Sequence, residues 1–170
     1  MSRISELPAV APRGEQRMRA QLDEQCVIKA NAQFWEQMLA MSLDPLAAPG
    51  EFCVGSGHLL GCVTLGGEWK GRIEVRMGEG LAYQATAAML MQPLETVAEA
   101  DALDATKEIA NMIAGVIKSS LPRLCTMTVP ESTVEAAGFC SAAQTEDSLV
   151  VAFRHPSGDL MVRVWEQECA

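Results

Sequence analysis

Residues 63–77, VTLGGEWKGRIEVRM, and residues 150–164, VVAFRHPSGDLMVRV, carry the architecture of this chain. In each, an apolar run meets a turn and then alternates. After Gly66-Gly67, which marks the first turn, Ile73, Val75 and Met77 fall on one side of an extended chain, and Arg72, Glu74 and Arg76 on the other. Strand side chains point alternately to opposite faces, so the pattern reads as a hairpin with one face turned to a core. The second stretch turns at His155-Pro156-Ser157-Gly158-Asp159 and repeats the arrangement.

A helical pattern precedes each hairpin. Ahead of the first, IKANAQFWEQMLAMSL places Ala30, Phe34, Met38 and Met41 on one face, and Asp44-Pro45 and Pro49-Gly50 stop it. Ahead of the second, a long helix runs from about residue 99 or 103 to 120, ended by Pro122. LAYQATAAMLMQ reads as a short helix closed by Pro93, and RLCTMTVP as a strand stopped at Pro130. ESTVEAAGFCSAAQTED reads as irregular or partly extended. The implied class is α+β: a two-layer fold with a mostly antiparallel sheet, long helices packed on one side, and two helix-plus-hairpin repeats. Residues 1–22 mix Pro, Gly and alternating charge and read as a flexible arm, leaving 23–170 as a single domain.

Composition narrows the function. The chain has 170 residues, 49% hydrophobic and 21% charged, with a net charge of −9. That charge argues against nucleic acid, whose phosphates call for clustered Lys and Arg. No apolar run approaches the roughly 20 residues that span a bilayer, and MSRISELPAVAPRGEQ has no secretory pattern, so the expected location is the cytoplasm, away from membranes. Six scattered cysteines lack metal-ligand spacing and read as small apolar core residues in a reducing compartment. His58 and His155 have no recognisable nucleophile beside them, and Gly55-x-Gly57 and Gly78-x-Gly80 read as turn glycines rather than a phosphate loop. Trp35, Trp69 and Trp165 read as core or interface anchors.

The long helix carries the chemistry. Its sequence from residue 104 is DATKEIANMIAGVIKSSL, and Asp104, Glu108, Asn111, Gly115 and Lys118 share a sector of roughly 80° on its surface. Ile109, Met112, Ile113, Val116 and Ile117 fill the opposite side. Asn in mid-helix and glycine one turn later both oppose helix formation, the glycine by about 1 kcal/mol relative to Ala. Residues that oppose their local structure mark places where function or close packing outweighs stability. An acid and an amide leaving the surface together can reach into another molecule's site, the carboxylate gripping a cation and the amide orienting a water.

The run Asp104-x3-Glu108-x2-Asn111 with Gly115, followed by a strand ending in Val129-Pro130, resembles the signature of the bacterial CheC/CheX/FliY phosphatases. The likeness extends over roughly residues 27–166, and a single Glu-x2-Asn copy, absent from ANAQFWEQML, is similar to the CheX branch. Pro130 follows Asn111 more closely than in the family, and ESTVEAAG stands where a glycine-containing turn is usual. The resemblance implies hydrolysis of the aspartyl phosphate on a CheY-like response-regulator receiver in chemotaxis or two-component signalling. Glu108 would pair with the receiver lysine and Asn111 would position the attacking water. Asp104, Lys107 and Gly115 would touch the partner. No cofactor or metal is expected in this chain, the Mg2+ belonging to the receiver, and a homodimer paired through the sheet edge of the last hairpin is expected. The alternative is a non-catalytic CheX-like binding module that docks a receiver or signalling complex.

Overall fold

A computed structural model of the chain describes residues 22–47, 53–54, 57–121, 124–136, 139–140 and 148–167. In chain order the elements are α1 (Glu24–Leu39), β1 (Asp44–Pro45), β2 (Cys53–Val54), β3 (His58–Gly67), β4 (Gly71–Gly78) and α2 (Glu79–Leu90). A 3-10 turn (Leu94–Thr96) leads into α3 (Glu99–Ser120), then β5 (Cys125–Met127), β6 (Glu131–Glu135), β7 (Phe139–Cys140), β8 (Ser148–His155) and β9 (Gly158–Glu166). The arm read in residues 1–22 lies outside the described residues, except that Leu22 is buried against the core.

The two hairpins stand side by side. The main sheet runs β1-β8-β9-β4-β3-β5, with β6 also alongside β3, and β2 pairs separately with β7. All pairings are antiparallel. The second strands of the hairpins meet at the centre, where Ile73 faces Val164 and Val75 faces Val162. Those residues, with Leu59, Val63, Leu65, Met77, Val151, Phe153 and Leu160, form one core with the inner faces of all three helices. The expected α+β layering is what the structure shows.

Close approach holds the layers together. A Cβ on Gly61 of β3 would lie 2.7 Å from Ala110 Cβ and 2.8 Å from the Thr106 carbonyl oxygen. Helix α3 therefore sits on the strand backbone itself. Thr106 is buried, and its hydroxyl donates to the Ala102 carbonyl at 2.7 Å, so no polar group is left bare in the contact.

The other sheet face is ionic. Arg76 donates to Glu74 at 2.6 Å and to Glu135 at 3.2 Å, and Arg72 lies 3.2 Å from Glu74. His58 Nε2 is 2.5 Å from Glu135 Oε2, tying β3 to β6 across the register His58↔Glu135. Glu74, Arg76 and His58 are all buried. Burial pushes the Glu135 carboxyl up, but the His58 hydrogen bond and the Arg76 guanidinium outweigh it and hold it below the ordinary value. Beside this network Val150, Ala152 and Met161 pack with Leu46.

Several sequence expectations need correction. Helix α1 buries Val27, Asn31, Phe34, Trp35 and Leu39, while Met38 is 60% exposed. The large Trp35 ring rotates the buried face away from Ala30 and Met38. The helix ends at Leu39, where Ala40 turns left-handed (φ 52), and Asp44-Pro45 is a strand rather than a stop. The first hairpin turns at residues 68–70, not at Gly66-Gly67, and Gly67 (φ 122) closes the strand. ESTVE forms β6. Gly80 lies inside α2, where a Cβ would meet the Ser157 carbonyl oxygen, so it is a packing glycine rather than a turn. Cys62 and Cys125 are buried as expected, but Cys26 is exposed on α1. Only part of the last hairpin is an open edge: β9 is interior, and β1 covers β8 at Arg154 and Phe153.

Two stability experiments follow from this packing. Gly61→Val should lower the unfolding free energy by about 2–3 kcal/mol through overpacking under α3. Gly66→Val, whose Cβ meets only Thr126 Oγ1 at 3.7 Å, should cost far less in the same denaturant titration. For Glu135, a carboxylate held below its ordinary value of 4.5 stabilises the fold while ionised, and that contribution drains away as pH falls through the folded value. Glu135→Gln should therefore be less stable than wild type at pH 7, and the gap should close as pH falls through the lowered folded value.

Candidate functional site

Helix α3 begins without a side-chain cap from Ala98, and the Asp101 carboxylate accepts the Ala98 N–H at 3.2 Å instead. Glu99 and Asp101 in the first turn and Lys118 in the last complement the helix dipole. The inner face buries Ala102, Ala105, Thr106, Ile109, Ala110, Ile113, Ala114 and Ile117. Its small members let the helix settle onto β3, and its isoleucines anchor it. Burying one such isoleucine side chain contributes about 1.5–3 kcal/mol.

This anchorage fixes what points outward. Asp104 and Glu108 are exposed, and Lys107, Asn111 and Gly115 are partly exposed, all on the outer side. The structure thus brings together the five residues singled out from sequence. Lys107 Nζ lies 2.8 Å from Asp104 Oδ1, a surface pair with side chains 40% and 77% exposed. Such a pair adds little to stability and leaves its other oxygen open to a partner. Among the described residues, no hydrogen bond or ion pair holds the Glu108 carboxylate or the Asn111 amide. Both are available to another molecule.

Asn31 provides the contrast. The chain has two asparagines, and each lies inside a helix. Asn31 is 1% exposed and its Nδ2 donates to the Val27 carbonyl at 2.9 Å, a local bond of the kind that competes with helix geometry. Asn111 makes no such bond among the described residues. Gly115, one turn beyond Asn111, has nothing within 4 Å of where a Cβ would stand. The apolar side drawn for this helix holds for Ile109, Ile113 and Ile117. Val116, however, is 38% exposed although it stands two turns after the buried Ile109 at nearly the same angle.

The remaining candidates are structural. His58 is buried in the ion network. His155 Nδ1 accepts the Ser157 N–H at 3.1 Å, while the Ser157 hydroxyl bonds Gln84 Oε1 and so is not aimed at an imidazole. Trp35 and Trp69 are core residues, whereas Trp165 is 37% exposed with the Arg163 guanidinium 5.2 Å from its ring centroid. Gly55 lies outside the described residues. Among the described residues no group of three or more His, Cys, Asp or Glu side chains could hold a metal, and no helix is long and apolar enough to cross a membrane. Sequence reasoning missed the seat formed by Gly61, Thr106 and Ala110. Its one trace is a lone glycine inside an apolar strand, a sign of close backbone approach.

Comparison with known proteins finds relatives of this fold. The family model described as chemotaxis phosphatase CheX matches residues 59–154, which contain β3, β4, α2, α3 and most of β8. No curated protein matches the chain. Among solved structures, the chain is similar to CheX from Vibrio vulnificus, with 19% identity and a TM-score of 0.64 over 84% of this chain and 95% of that one. It is similar to CheX from Desulfovibrio desulfuricans, with 19% identity and a TM-score of 0.67 over 84% and 97% of the two chains. A third likeness, with 18% identity and a TM-score of 0.63 over 85% and 97%, is to a chain of the CheX-CheY-BeF3-Mg2+ complex from Borrelia burgdorferi. With more than half of its length matched by the family model, and an exposed Glu-x2-Asn pair on the helix at its centre, the chain belongs to the CheX family of chemotaxis phosphatases.

Proposed function

We propose that this chain hydrolyses the aspartyl phosphate of a CheY-like response-regulator receiver, as a cytoplasmic protein whose working unit is residues 23–170. One observation carries the reading: Glu108 and Asn111 stand a turn apart on the outer face of α3, free of internal partners among the described residues, while the opposite face is immobilised in the core. A similar fold occurs in a complex with CheY, BeF3 and Mg2+ in Borrelia burgdorferi, which supports a receiver as the partner.

The chemistry asks for little from this side. In the reaction a water oxygen bonds to phosphorus as the phosphorus–aspartyl oxygen bond breaks. The products are a free aspartate and inorganic phosphate, and the proton of the water passes to phosphate or solvent. The receiver supplies the Mg2+ and the lysine that neutralise developing charge, so the remaining barrier is largely one of orientation. An amide suits that role because it donates and accepts without titrating. Asn111 holds the water in line with phosphorus, Glu108 grips the receiver lysine, and Asp104, Lys107 and Gly115 form the surrounding contact.

We also propose a homodimer paired through the outer edge of the last hairpin, where β1 covers β8 only at Arg154 and Phe153 among the described residues. Mass measured by light scattering across a dilution series should fall from twice the monomer value toward the monomer. A monomer at every concentration contradicts the dimer.

The phosphatase reading is tested by the decay of a phosphorylated receiver with this protein at substoichiometric concentration. Asn111→Ala should lose about 100-fold or more in stimulated rate while binding the receiver nearly as well as wild type. Glu108→Lys should weaken both binding and rate. Wild-type protein that binds the phosphoreceiver without shortening its lifetime would instead identify the non-catalytic docking module.

A further inference from the structure

Among the described residues, nothing requires a glycine at 115. Its φ is not in the left-handed region, and an added Cβ meets no atom within 4 Å. Glycine at 61 is different, since a Cβ there runs into Ala110 and Thr106. A helix interior without a side chain is a standing loss of stability with no internal return. Beside Gly115, Val116 is a β-branched apolar residue left 38% exposed. Val116 projects about 100° round the helix, on the flank of Ile109, so on the outer face it is Gly115 that runs against the helix's own preference, one turn past Asn111.

The outer face has two unlike halves. Toward the amino end it carries the exposed acids Asp104 and Glu108, with Lys107 paired to Asp104. Beyond Asn111 come Gly115 and Ser119, with Lys118 the only charge at the margin. The Ser119 hydroxyl turns back onto the Val116 carbonyl at 2.6 Å, which keeps this half low and neutral. An acidic half suits cationic side chains. A bare half suits backbone, because only where no Cβ intervenes can a second main chain come down onto a helix.

Building on the receiver-phosphatase reading, we infer that Gly115 is the contact point for a main-chain segment of the receiver at the rim of its phosphorylated pocket. Together with Glu108 it fixes which way round the receiver docks and how close it comes. Gly115 is then a specificity determinant of the complex and takes no part in moving water or phosphate. A methyl group there holds the receiver off the helix, so productive complexes become rarer while each one formed still turns over.

The test uses the full chain and a receiver phosphorylated by acetyl phosphate, with phosphate release measured against receiver concentration. Gly115→Ala should raise KM about tenfold, equivalent to about 1.4 kcal/mol, with kcat within about twofold of wild type. Gly115→Leu should raise KM further. The thermal midpoint of Gly115→Ala should rise, since alanine favours the helix and meets no clash. Stability and affinity moving in opposite directions is a result that a purely structural role cannot give. An unchanged KM in both variants, a loss confined to kcat, or a lowered midpoint for Gly115→Ala would each overturn the inference. Asn111→Ala is run in parallel. If it is fully active, the phosphatase reading fails; if it is inactive while both Gly115 variants behave as wild type, only the docking inference fails.

Discussion

Helix α3 rests on Gly61 with nothing larger than the Ala110 methyl and the Thr106 side chain between helix and strand, and this contact sets the position of every group on the outer face. Residues 106–110 form the turn that touches β3, and Glu108 and Asn111 project from that turn or its immediate continuation. Interiors packed to crystal-like density transmit small displacements rather than absorb them. A rigid seat under the turn is therefore a condition for holding a side-chain amide where a water must be aimed. Ile109, Ile113 and Ile117 lock the rotation of the helix, and the small residues Ala110 and Ala114 set its height.

The sheet beneath gives the seat its stiffness. Two hairpins join through β4 and β9, so β3 is paired along its length on the β4 side and over most of its length on the other. On the face away from the helices, Arg76 joins Glu74 to Glu135, and His58 binds the same Glu135. Breaking one partner of such a buried set leaves a charge uncompensated, so the network binds β6 firmly to the strand that carries Gly61. The two repeats are unequal in what their helices present. Helix α1 turns its asparagine into the core, whereas α3 turns its own outward, and only one helix is thereby equipped to reach a partner.

What was legible in the sequence was whatever carried a strong period. The alternation of Ile73, Val75 and Met77 and the spacing of Ile109, Ile113 and Ile117 locate the hairpins, the long helix and the outward stripe. Helix α1 was misjudged because apolar residues surround much of it, and the Trp35 ring, rather than the spacing of Ala30 and Met38, decides which side is buried. Its early end at Ala40 leaves no mark, since alanine, unlike glycine or asparagine, does not signal a left-handed cap. Arg72, Glu74 and Arg76 alternate in the same way whether they meet water or one another, so the buried ion network was invisible. Gly61 was hidden within an apolar run, and the meaning of Gly115 emerges only once space, not packing, is found above it.

The central claim is that the Asn111 amide enters the receiver, and side-chain amide NMR tests it directly, because Asn31 and Asn111 are the chain's two asparagines. During titration with a beryllofluoride-loaded receiver, the Asn111 side-chain NH2 resonances should shift and saturate with binding. Those of Asn31, sealed in the core, should stay in place as an internal control. A receiver that binds while the Asn111 resonances remain unmoved contradicts the account.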